Sequence, residues 1–441
     1  MQRSERGKLQ TAMKIGIIGS GISGLVAAYR LFPHHDITLF EANDYAGGHT
    51  RTVDVEFHGQ RYAIDTGFIV FNNWTYPHFV RLLGELDVAS RPTTMSFSVR
   101  DERTGLEYNG GSVNGLFAQR RNLLRASFWR MLADILRFNR EANALEFSAS
   151  ETVAQFLTRR KFGRGFVDSY LLPMGSAIWS CPPCIFKEFP IWFIADFYRQ
   201  HGLLNIFRRP QWRVIQGGSR SYVRAITNRL RHNIRLNAAV AHVQRLHEKV
   251  AISVVNEGTE WFDHVIFACH SDQALKILGS EATVAEREVL TAFPYNRNTA
   301  VLHTDESLLP QSRRAWASWN YRVYSNGEMS EQTRANVTYN MNTLQGLKAT
   351  PTFCVTLNDE AQISPALVLD RFEFHHPVFT TQRAAAQARH GELINANRTS
   401  FCGAYWKNGF HEDGVVSAMR VVETLLQPTQ MDRVATDERA T

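Results

Sequence analysis

Three glycines and one acid carry the first chemical signal in this chain. Gly19-x-Gly21-x-x-Gly24 follows directly on the β-branched run Ile15, Ile17, Ile18, and it leads into an apolar stretch from Leu25 to Leu31. A second short apolar run, Ile37–Phe40, ends in Glu41 and Ala42. Strand, glycine turn, helix, strand and acid in this order predict a βαβ unit that binds a dinucleotide. Gly19 permits the tight turn, Gly21 lets backbone approach a pyrophosphate, and Gly24 lets helix pack closely on strand. Ile22 and Ser23 open the helix, whose N-terminal amides face the phosphate charge. Glu41 can accept hydrogen bonds from both ribose hydroxyls, and its charge would repel a 2′-phosphate. The bland alternative, glycines serving turns alone, leaves the acid at the strand end unexplained.

A second glycine pair, Gly47-Gly48, follows with His49, Thr50 and Arg51. It offers another backbone approach to phosphate, which a site for NAD alone does not need. The run GxGxxG, then Glu41-Ala42, then Gly47-Gly48-His49-x-Arg51-Thr52 resembles the superfamily of flavin amine oxidases, protoporphyrinogen oxidases and phytoene desaturases. Many members carry Arg directly after the pair, where this chain has His49. The resemblance implies FAD, with Gly48 along the cofactor. It also implies that the chain returns past the flavin at Thr66, Gly67 and Phe68, and that Val240 meets the adenine through main-chain atoms. The C-terminal stretch FCGAYWKNGFHEDGVVSAM contains Gly403 at a strand end, then Asp413, Gly414 and Val415 at a predicted helix start. A helix N-terminus there can aim its positive end at an electron-rich flavin edge.

The rest of the chain must position these groups. At 441 residues and 44% hydrophobic content it can bury a large core, and two domains are expected. The expected fold joins α/β and α+β parts: a Rossmann-like FAD-binding domain with an inserted, amine-oxidase-like substrate domain of mixed sheet and helices. The FAD domain is assigned to 13–75, 210–285 and 395–428, and the substrate domain to 76–209 and 286–394. Residues 1–12 and 429–441 are read as tails, and Met13 is a second plausible start. No apolar run is long enough to cross a membrane. Five cysteines fit a reducing compartment, and Cys181-Pro-Pro-Cys184 reads as two loop thiols. No metal site is expected. A net charge of +7, mostly from arginine, is compatible with an anionic partner, phospholipid or nucleic acid.

Residues 112–145 read as helical, with Leu124, Phe128, Met131, Ile135 and Phe138 on one stripe and Arg125, Arg130, Arg137 and Arg140 largely on the other face. That pattern fits either a basic helix on an anionic membrane surface or a core stripe with a solvated back. Residues 187–204 crowd aromatics, among them Trp192, Phe193 and Phe197, which could wall an apolar substrate channel or simply fill a core. Several strand-like runs between 290 and 380 predict a sheet roofing the flavin. They carry the candidate proton acceptors Tyr339 and His303, then Glu373 beside a His375-His376-Pro turn.

The stretches PMGSAIWSCP, GGSRSYV, YNRNTAVLHTD, AWASWNY, VTYNMNTLQ, HHPVFT and CGAYWKNGFHEDG resemble a narrower subgroup, the FAD oxidoreductases encoded beside cyclopropane-fatty-acyl-phospholipid synthases. This implies a desaturase acting on methyl-branched, unsaturated acyl chains of membrane phospholipid, toward furan fatty acids, by hydride transfer to flavin N5. Its expected location is cytoplasmic, in peripheral contact with an anionic inner membrane, with a lipid methyltransferase as a further partner and no nucleic acid. Two other readings stay open: a soluble amine oxidase, and a non-catalytic FAD-bearing partner of a lipid methyltransferase.

Overall fold

The computed structural model describes residues 12–144, 146–148, 150–325, 336–380 and 382–427. Apart from Ala12, the predicted tails lie outside the described residues. The chain divides into two compact units. One takes residues up to Gly48, Tyr222–Ala292 and the chain from Ala384; the other takes His49–Ser221 and Phe293–Arg383. Residues 49–75 and 210–221, expected beside the FAD, thus pack within the second unit.

The first unit is built on a parallel sheet in the order Ile234–Arg235, Asp36–Phe40, Lys14–Ile18, His264–Phe267, Thr399–Phe401. Its central strands are apolar on both sides, as a sheet covered on both faces requires: Ile15, Ile17, Val265, Ile266 and Phe267 are buried. The helices Ile22–Leu31 and His411–Leu426 pack on each other. A three-stranded antiparallel meander, Val240–Arg245, Val250–Val254 and Gly258–Phe262, also packs here; a Cβ on Gly16 would strike Ile252.

The second unit centres on a seven-stranded mixed sheet. Its order is Val368–Pro377, Tyr295–His303, Cys354–Leu357, Val337–Asn340, Trp319–Val323, Phe97–Asp101, Leu106–Asn109, antiparallel but for the pair Trp319–Val323 with Phe97–Asp101. One face holds a core that includes Ile64, Tyr339, Phe353, Phe372 and Phe374. A helical region completes the unit. The predicted helix over 112–145 is interrupted: a turn at Val113–Leu116 and a 3-10 segment at Arg120–Leu124 precede the helix Ala126–Ala144. Phe128, Met131 and Phe138 of its stripe are core, whereas Leu124 lies before the helix and is 92% exposed.

Candidate functional site

The glycine turn is fixed by exclusion. The Gly19 amide donates to the Phe40 carbonyl at 2.8 Å, and Gly19 sits at φ +103°, where a side chain would be strained. A Cβ on Gly24 would collide with the Gly19 carbonyl. Around Gly21 the opposite holds: a Cβ there would meet nothing within 4 Å. The helix Ile22–Leu31 makes its first intrahelical bond from the Leu25 amide to the Gly21 carbonyl, at 2.9 Å. The amides of Ile22, Ser23 and Gly24 therefore precede the ladder, as donors with no acceptor in the helix. The glycine pair folds back onto this point. Gly47 donates to the Ser20 carbonyl at 3.1 Å, and a Cβ on Gly48 would stand 3.1 Å from Gly21 Cα.

Glu41 is buried at the end of its strand, and its carboxylate is held on both oxygens. The Ser20 amide donates to Oε2 at 3.0 Å, joined by the Ser20 hydroxyl, and Asn43 donates to Oε1 through its amide at 2.9 Å and its side chain at 2.7 Å. Sequence reasoning passed over Ser20 and Asn43, although Ser20 is the variable residue inside the glycine pattern. Ala42 is exposed beside them. Val240 opens its strand close by, since the Ala238 amide donates to the Glu41 carbonyl at 2.8 Å.

The C-terminal helix begins at His411, so Asp413 and Gly414 stand inside its first turn instead of at its start. Asp413 accepts from the amides of Asn408 and Phe410, at 3.1 and 2.9 Å, and so shapes the loop that leads in. Gly414 is where the two helices cross: its Cβ would stand 2.7 Å from Ile22, and Ser23 Oγ donates to its carbonyl at 3.0 Å. Val415 is buried behind it, and Gly403 is tied to the same helix by the hydrogen bond its amide donates to Ser417 Oγ, at 2.9 Å. Two helix N-termini thus meet beside an open glycine, a sequestered ribose-type carboxylate and a second glycine loop. These residues fit a dinucleotide: Ile22–Gly24 and Gly48 would hold its phosphates and Glu41 its ribose.

In the second unit the remaining predicted residues are drawn into local packing. The Gly67 backbone passes so close to the His49 carbonyl that a Cβ would collide, and Phe68 donates to that carbonyl at 2.9 Å. Thr66 likewise donates to the Arg51 carbonyl at 2.9 Å, and Thr50 is buried. The Arg51 guanidinium lies 4.5 Å above the Phe372 ring, a cation–π contact. His49 packs against Phe374 and His376, at 5.1 and 5.4 Å between ring centres. Burial lowers its pKa to about 4, opposed by the hydrogen bond it gives to the His375 carbonyl.

The His375-His376 pair is not a turn. Both residues lie in the strand Val368–Pro377, and its pleat sends them to opposite faces. His376 shares the inner face with buried Phe372 and Phe374 and receives a 2.9 Å hydrogen bond at Nδ1 from Asn298. Burial, reinforced by His49 and His375, lowers its pKa to about 3. His375 is on the exposed face with Glu373, whose partner is Arg297. His303 is a satisfied core histidine, bonded to Thr356 Oγ1 at 2.7 Å and to the Asp305 amide at 3.0 Å. Tyr339 is buried against Trp319, and burial pushes its phenol pKa up, away from service as a base.

The aromatic segment forms the helix Ile191–Gln200, and most of it is core. Phe197 is buried against Trp179, 4.8 Å between ring centres, while Phe193 stacks on Phe379 at 4.8 Å. Trp192 and Phe193 remain half-buried. Among the described residues no cluster of potential metal ligands occurs and no helix is long and apolar enough to cross a membrane. Cys181 and Cys184 are not joined in a disulfide, and burial pushes the Cys181 thiol up.

A parallel sheet carrying this cradle, together with a second unit built on a mixed sheet, is the architecture of a dinucleotide-binding protein. Residues 22–311 match the family described as flavin containing amine oxidoreductase. The 1-hydroxycarotenoid 3,4-desaturase of Flavobacterium sp. (strain P99-3) is 38% identical over 93 residues, which span 21% of this chain and only 17% of that protein. Among solved structures, the CLA-producing fatty acid isomerase from P. acnes superposes with a TM-score of 0.67 at 13% identity, covering 95% of this chain and 100% of its own. The cyclohexylamine oxidase from Brevibacterium oxydans IH-35A gives 0.64 at 16% identity, covering 94% and 100%. The chain belongs to the flavin-containing amine oxidoreductase family, and it is an FAD-dependent oxidoreductase.

Proposed function

We propose that this chain is a desaturase that removes hydrogen from a methyl-branched, unsaturated acyl chain of membrane phospholipid. Bound FAD would supply the hydride acceptor for this removal, and the second hydrogen would leave as a proton. The protein's own task is to select an apolar chain and hold it still, because an alkyl segment offers no polar handle. Trp192 and Phe193, half-buried at the edge of the aromatic core, are the proposed walls.

One surface carries this reading. Leu123, Leu124, Trp129 and Leu136 project from one stretch of the second unit, with Leu124 92%, Trp129 50% and Leu136 52% exposed. Arg120, Arg121, Arg130 and Arg140 are exposed in the same stretch, and its acids, Asp134 and Glu141, are engaged by Arg137 and Arg160. Apolar side chains amid unneutralised arginines match an anionic bilayer, where leucine and tryptophan enter the interface and arginine meets phosphate. The partial likeness to a carotenoid desaturase supports removal of hydrogen from carbon. Family membership favours a second reading, oxidation of a soluble amine.

The test is an anaerobic visible spectrum of the FAD-loaded protein mixed with vesicles of branched, unsaturated phospholipid, beside a panel of small amines. Bleaching by vesicles, weakened in a Leu124→Glu/Trp129→Glu variant, is the expected result. Bleaching by an amine alone replaces this reading with the second. Bleaching by neither, with a stable complex to a lipid methyltransferase, would make the chain a non-catalytic partner.

A further inference from the structure

His376 faces the core of the second unit from one end of a chain of side-chain amides, and the direction of every bond in that chain can be read. It starts at a group that can only donate: the Thr299 backbone amide meets Asn358 at 3.0 Å, so the atom it meets is the amide oxygen, Oδ1. Asn358 is held there reciprocally, its own backbone amide donating to the Thr299 carbonyl at 2.8 Å. The other end of the Asn358 side chain is therefore its NH2, which donates to Asn298 Oδ1 at 2.7 Å. Asn298, 2% exposed, must then present its own NH2 on the far side. A second backbone group agrees, because that NH2 also lies 3.2 Å from the Asn296 carbonyl, which can only accept. The remaining Asn298 hydrogen is directed at His376 Nδ1, 2.9 Å away.

We infer that Asn358 and Asn298 are positioning residues that lock His376 as the neutral tautomer with its proton on Nε2. Nδ1 is occupied as an acceptor and Nε2 already bears hydrogen, so His376 is not the proton acceptor its sequence position suggested. Protonating Nδ1 would set one N–H donor against another across the buried Asn298 amide. What the inner face of this strand offers is a fixed, uncharged N–H donor, suited to a neutral acceptor such as a carbonyl oxygen. Its place in the reaction rests on the proposed function, but the tautomer itself does not.

The experiment uses the full chain labelled with 15N-histidine, without FAD or lipid, at pH 7. Two-bond 15N–1H correlations show which ring nitrogen is protonated, and a His376→Gln spectrum assigns the signals. The expected wild-type pattern has hydrogen on Nε2 and a bare Nδ1. Asn298→Asp removes the donor and moves the proton to Nδ1. Asn358→Asp does the same from two links away, because Asn298 must turn its NH2 toward the new carboxylate and show its oxygen to Nδ1. A wild-type His376 protonated on Nδ1, or on both nitrogens, overturns the inference, as does a folded Asn358→Asp protein with the proton still on Nε2. Should a variant fail to fold, the wild-type spectrum decides. Failure of vesicles to bleach the flavin would leave this result standing, so the two readings fail separately.

Discussion

The nucleotide cradle and the inner face of the strand Val368–Pro377 reach chemical definition by opposite routes. The cradle is made by leaving side chains out: Gly24 and Gly48 lie against other backbone, Gly21 borders open space, and the donors are main-chain amides. The strand works by side chains alone, and a period of two decides which of them count. A cradle of this kind depends on backbone shape, so one added methyl group is a large perturbation. On the strand, neighbouring residues of the same type have unrelated roles.

The largest expected effect comes from adding that methyl group. Gly24→Ala forces the helix start off the Gly19 carbonyl, costing roughly 1–3 kcal/mol or more in strain. It should lower the melting temperature and yield protein with no flavin absorbance. Gly21→Ala fills only open space, so its melting temperature should hold while FAD binding falls. If both variants lose stability equally, the cradle is packing and not a ligand site.

Acid should be the next largest perturbation. His49, His303 and His390 are lowered to about 4, and His264 and His376 to about 3, all chiefly by burial. An unfolded chain takes up these protons near pH 6.5 while the folded chain refuses them, so stability is unaffected above pH 6.5 and is lost as pH falls toward 4. Each histidine contributes a slope of up to about 1.4 kcal/mol per pH unit. Asp65 opposes them, since burial raises its pKa to about 6 and the folded state then keeps a proton that the unfolded chain releases. Urea midpoints at pH 7.5, 6 and 5 should fall steadily; a flat profile would mean these histidines titrate freely.

Glu41→Gln tests the cradle's carboxylate. It replaces a charged acceptor held by Ser20 and Asn43, and a charged hydrogen bond contributes about 1.5–3 kcal/mol, so FAD affinity should drop about tenfold or more by flavin titration. The smallest effects are predicted on the outer face of the strand. His375→Gln and Glu373→Gln should each change stability by under about 1 kcal/mol, the range of exposed ion pairs, and leave turnover intact. A strong loss of turnover in His375→Gln would erase the distinction between the two faces.

The glycine pattern, Glu41 and the C-terminal helix were readable in order because each obeys a local rule: a turn that admits no Cβ, an acid at a strand end, a helix after a short loop. The parallel sheet follows from the same rules, since its strands are short apolar runs tied to helices. Local rules did not reveal that Asp413 caps a loop from inside the helix, or that Gly67 makes room for the His49 carbonyl. Nor did they show that Phe197 belongs to the core. Ser20 lay inside a motif that was read, but its grip on Glu41 appears only when two strand ends are neighbours.

By itself the sequence determined the cofactor class, because dinucleotide binding here depends on backbone conformation, and glycine at fixed spacing encodes that directly. Tertiary structure alone decided what each histidine can do. A strand's register set His375 outward and His376 inward, and an amide chain drawn from two other strand regions fixed the proton on a ring nitrogen. Such pairings join residues far apart in the chain, and residue type does not specify the partner.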